Sequence, residues 1–145
     1  MTNDVTHWGP WAGKIVAGAE SKLPPLVHTI DSSGEVKSFD MRIEPEDFDI
    51  VQPGQDLYCV STATPLFPTS QILKLSRTLL TNFWGDMLIV QEGGQQLPNN
   101  IDGKLFIAHW DASTTNFVIR RISLPDRLLE HSTFAPISLP DIPQP

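Results

Sequence analysis

Between Glu44 and Asp49 the chain sets four carboxylates in six residues, Glu44, Glu46, Asp47 and Asp49, on Glu-Pro-Glu-Asp-Phe-Asp. Carboxylates on an irregular segment are the donors that Ca²⁺ prefers. Glu46, Asp47 and Asp49, with Glu92 ahead of Gly93-Gly94, form a candidate oxygen-ligand set. The segment lacks the EF-hand loop pattern, and successive residues of a strand point to opposite faces. Solvated or turn-capping carboxylates explain the same residues. A second constellation is His109-Trp110-Asp111, where an indole offers a stacking face for a sugar or cation and the carboxylate an acceptor. The other explanation is a strand end with its Trp in the core.

Catalytic signatures are missing from the sequence. It has no Gly-x-Ser-x-Gly elbow, no His-Glu-x-x-His, no phosphate-binding Gly-rich loop and no dinucleotide fingerprint. A pair of catalytic carboxylates is defined by a spatial distance that no spacing reveals. His7, His28, His109 and His131 show no metal-ligand spacing, and the single Cys59 cannot build a thiolate zinc site. Cys59, between Tyr58 and Val60, reads as a buried thiol. The expectation is a protein that is not an enzyme and has no cofactor unless Ca²⁺ is bound.

Strands must position these groups. Gly13–Glu20, Leu26–Asp31 and Glu35–Arg42 carry short apolar runs broken by Pro24-Pro25 and by the turn Ser32-Ser33-Gly34. The acidic stretch reads as a rigid turn and inter-repeat joint, closed by Gln52-Pro53-Gly54. Leu57–Ser61 and Gln71–Leu75 follow as strands, and Ser76–Phe83 is too short to assign to helix or loop. Gly85–Glu92 is the most apolar strand. Lys104–Asp111 and Asn116–Ile122, joined by Ala112-Ser113-Thr114-Thr115, form the clearest hairpin.

The totals frame these elements. A chain of 145 residues is one domain's worth and can bury about 68–70% of its unfolded surface. With 17 acidic against 10 basic residues, the latter scattered, nucleic acid is a poor partner. No apolar run approaches the roughly 20 residues of a membrane helix. The first residues show no signal peptide, and the sequence contains no Asn-x-Ser/Thr sequon, so the compartment is unassigned.

The strands repeat. Gly13–Glu20 aligns with Gly85–Glu92, each preceded by a Trp (Trp11, Trp84), and Leu26–Asp31 aligns with Phe106–Asp111; Gly54–Ser61 with Ser70–Leu75 is a looser copy. The Asp31-Ser-Ser-Gly and Asp111-Ala-Ser-Thr-Thr hairpins and the Pro-Glu-Asp-Phe-Asp-Ile-Val step resemble six-bladed β-propeller repeats of the NHL or gluconolactonase-like type. The resemblance covers residues 11–122 and about three blades. It implies radially stacked sheets and acidic side chains near an axis that hold Ca²⁺. Three blades are half of such a ring, and open edges invite association. The chain therefore closes with copies of itself, forms a compact β-sandwich or barrel, or docks on a larger partner.

The expected organisation is an N-terminal segment (1–10), an all-β domain of about three sheet repeats (11–122) and an extended Pro-rich arm (123–145). Pro125, Pro136, Pro140, Pro143 and Pro145 favour extended chain. Leu128, Leu129, Phe134, Ile137, Leu139 and Ile142 make it apolar enough to lie on another subunit. The function expected is a structural or interaction subunit that docks on itself or on a larger assembly. The alternative is a carbohydrate- or Ca²⁺-binding propeller-like module, or a hydrolase-like fragment.

Overall fold

The computed structural model describes residues 2–19, 24–63, 68–91, 104–122, 124 and 128–135. The protein is all-β, and the described residues form three antiparallel sheets with one short α-helical turn. The turn, α1 (Val5–Trp8), is capped by Asp4, whose carboxylate accepts from the Thr6 and His7 amides. A 3₁₀ turn over Gly9–Trp11 follows. Trp8 and Trp11 are buried, and the Trp8 indole N–H donates to the Gly85 carbonyl at 2.8 Å. Gly9 has a φ of +49°, and a Cβ there would collide with the Trp110 ring, so only glycine lets the segment lie flat on that indole.

The first sheet is the meander β1 (Ile15–Gly18), β2 (Val27–Ile30) and β3 (Val36–Phe39). The second has the order β10-β5-β6, from Leu128–Ala135, Asp56–Thr62 and Gln71–Leu75. The third has the order β4-β7-β8-β9, from Pro45–Ile50, Met87–Gln91, Lys104–Asp111 and Asn116–Ile122. The first sheet is built of consecutive strands, and β10 and β4 each join a sheet whose other strands are consecutive in the chain. Ser76–Phe83 resolves into 3₁₀ turns over Arg77–Leu79 and Thr81–Phe83.

The third sheet is central because both its faces are covered. Strand side chains alternate between faces. Leu88, Val90, Leu105 and Ile107 therefore enter one core, with Leu57, Cys59 and Leu75 of the second sheet and with Leu129. Met87, Ile89 and Ala108 enter another core, with Trp8, Trp11 and Val27, against which Val16 and Phe39 of the first sheet pack. This accounts for a β7 buried at all five positions. A fully buried Leu or Ile side chain contributes about 1.5–3 kcal/mol, so β7 anchors the packing.

Two expectations are corrected. The acidic stretch is not a turn or joint but the edge strand β4, paired with β7 and shifted in register between Pro45 and Asp47. Phe48 and Ile50 pack on the core around Trp11, so the intervening Asp47 and Asp49 face the other way. Pro45 opens this edge strand, where a missing amide is tolerated. The expected C-terminal arm is, over Leu128–Ala135, a strand of the domain's own sheet, paired with β5. Leu129 is fully buried and Phe134 packs on the same core, so neither is free to lie on another subunit. Ile137, Leu139 and Ile142 lie outside the described residues.

Candidate functional site

The turn Gly85-Asp86 enters β7 with Gly85 at a φ of +88°. The Asp86 carbonyl accepts from the Val51 amide and the Asp86 amide donates to Phe83, which fixes the residue from both sides. Its side chain is buried, and Oδ1 lies 2.6 Å from Nδ1 of His109 on β8 and 3.8 Å from Nε2 of His7 on α1. The two rings meet edge to face, with centroids 5.4 Å apart. Behind His7, Nδ1 stands 2.6 Å from Oδ2 of Asp4.

The order is therefore carboxylate, imidazole, carboxylate, imidazole. With Nδ1 donating to Asp4, neutral His7 carries its lone pair on Nε2, which faces Asp86. In that tautomer Nε2 of His7 and Oδ1 of Asp86 are both acceptors, and at 3.8 Å they stand beyond direct hydrogen-bond distance, with room for a shared cation between them. Burial raises the pKa of Asp86, and the hydrogen bond from His109 and the nearby histidines oppose that rise.

His7, Asp86 and His109 each present one ligand atom, all within 4.8 Å of one another, and they are the cluster of this kind found among the described residues. Two imidazole nitrogens and one carboxylate oxygen suit Zn²⁺ and other first-row ions, not Ca²⁺, which takes six to eight oxygens. Asp4 holds Nδ1 of His7, the arrangement by which a carboxylate would fix the tautomer of a ligating histidine. Beside the cluster opens a groove of about 790 Å³, lined by Phe83, Asp86, Ile107, His109, Val118 and Arg120, among others.

Among the described residues, Glu46, Asp47 and Asp49 of the expected Ca²⁺ set do not form a group that could hold a metal ion. Asp47 accepts from the Ser132 and Phe48 amides, tying β4 to β10. Asp49 accepts from the Ile50 amide, and burial raises its pKa. Glu46 lies at the register shift between Pro45 and Asp47. Glu92 lies outside the described residues.

His109, Trp110 and Asp111 all border the groove but act separately. Only His109 reaches the cluster. Trp110 packs against Phe117, with ring centroids 5.3 Å apart, and against Gly9. Asp111 caps its hairpin by accepting from the Ser113 amide and hydroxyl and from Thr114, which lowers its pKa. Asp31 does the same for the turn at Ser33 and Glu35.

Sequence reasoning missed His7 and Asp86 as partners of His109. Spacing carries no sign of them, because the three come from a helical turn, a strand entry and a strand end far apart in the chain. The available signal was local: Asp4 three residues before His7, the spacing at which an N-cap carboxylate reaches back to a side chain. No protein family, curated protein or solved structure matches the chain.

Proposed function

We propose that this protein is a β-rich, non-catalytic binding domain that takes a divalent first-row transition ion on His7, Asp86 and His109. The observation that carries this reading is the buried Asp86 carboxylate flanked by two imidazole nitrogens, one of them held by Asp4 with its lone pair aimed inward. An ion would take the place of the hydrogen between His109 and Asp86, that proton passing to Nε2 of the same imidazole, and uptake should weaken in acid because protonated imidazoles cannot ligate. Calorimetric titration tests it: one Zn²⁺ or Co²⁺ per chain is expected, with no comparable heat from Ca²⁺. Loss of the signal in Asp86→Asn supports the assignment. A wild-type protein silent to both transition ions removes it.

Docking on a second copy of the chain is a second reading, favoured by the outer face of the first sheet. There Ile15 and Val36, 49% and 56% exposed, pair across Ile30, while Val27 and Thr29 on the inner face are buried. A concentration-dependent native mass in sedimentation, lowered by Val36→Lys, is expected. A monomer at all concentrations sinks the docking reading without touching the first.

A further inference from the structure

We infer that the groove beside the cluster takes an organic monocarboxylate, its acid group between the bound cation and Arg120 and its apolar body on Phe83 and Val118. This inference rests on the cation reading above. Three protein ligands leave an ion with an open position for an exogenous donor, and His109 borders the groove, so the vacant side can face it. The registry of the β8–β9 hairpin sets the rest. His109 lies opposite Val118 and Ile107 opposite Arg120, and since alternate residues share a face these four form one patch.

Arg120 is placed to meet an anion. Its guanidinium carbon stands 5.8 Å from the Phe83 ring centroid, an arrangement that holds a cation beside an apolar wall. A guanidinium binds a carboxylate through paired N–H donors. Thr6, Asn82, Asp111 and Ser113 also line the groove, and the apolar wall beside Arg120 is made by Val118, 42% exposed, and Phe83. A small inorganic anion would leave those surfaces wet. An acid with a ring or a short hydrocarbon body covers them, and each buried methylene adds about 0.8 kcal/mol.

Co²⁺-loaded protein provides the test, because its visible absorption changes when a new donor joins the ion. Benzoate, acetate and inorganic phosphate are titrated separately. Benzoate is expected to shift the spectrum saturably and to bind about tenfold or more tightly than acetate or phosphate, and Arg120→Gln to weaken benzoate about tenfold, the factor that corresponds to one charge-assisted contact. Benzoate no tighter than acetate, phosphate tighter than both, or an Arg120→Gln protein that binds benzoate unchanged overturns the inference while leaving the cation reading in place. A protein that takes up no Co²⁺ overturns both.

Discussion

Nδ1 of His109 lies 2.6 Å from Oδ1 of Asp86, which ties the end of one central strand to the turn that starts its neighbour. Asp86 is buried, while the His109 side chain is 45% exposed. The pair thus links the core to the groove, and His7 reaches the same oxygen from the N-terminal turn. Its position depends on Trp8 anchoring that turn to Gly85.

Asp4→Asn separates capping from ring orientation. Asn caps a helix about as well as Asp, so α1 should remain, but the charged acceptor at His7 Nδ1 is lost. Zn²⁺ affinity is expected to fall about 10–100-fold, the usual cost of removing an outer-shell partner, with little change in Tm. Calorimetry and thermal unfolding on one sample check it. Unaltered affinity would show that Asp4 only caps.

Leu129→Ala should destabilise the domain by about 2–5 kcal/mol, since the side chain is fully buried between the second and third sheets. Urea denaturation followed by fluorescence measures it. A residue on a detachable arm would give no shift.

Asp56 should contribute to acid sensitivity. Its buried carboxylate accepts from the Arg77 amide at 2.9 Å and meets Lys74 Nζ at 3.1 Å and Arg77 Nε at 3.8 Å. These contacts, the Arg77 amide foremost, hold its pKa below the ordinary value. A carboxyl whose folded pKa is the lower one stabilises above the unfolded value, about 3.9, and loses that contribution as pH falls through the folded value. The stability gap between wild type and Asp56→Asn should therefore stand at its full size above about pH 5 and close on acidification. Urea midpoints across a pH series would show it, and a gap that stays constant would contradict it.

Cys59 should resist modification. It is fully buried, and burial pushes its thiol up to about 12, so almost no thiolate exists near neutrality. A chromogenic disulfide reagent is expected to label it only in denaturant. Rapid labelling of the native protein would refute the placement.

Much of the fold is local in origin and was legible. The apolar run Met87–Val90 marked the strand buried on both faces, and the hairpin of Lys104–Asp111 with Asn116–Ile122 has the bounds its alternation and turn residues indicate. Asp31 and Asp111 cap their turns with neighbours two to four residues away, so local chemistry sufficed. The strand at Leu128–Ala135 was obscured by flanking prolines, and the one at Pro45–Ile50 by its charge density. In both, the signal that decides strand from loop is a pairing partner distant in sequence.

The amino-acid sequence by itself determined an all-β chain, its main strands and its turns, because alternation and turn propensity act over a few residues. Tertiary structure decided which sheet lies in the middle, that β4 and β10 complete sheets begun elsewhere, and that His7, Asp86 and His109 meet. Those outcomes depend on which faces bury each other and which backbone groups pair across long loops, and neither is encoded in any single segment.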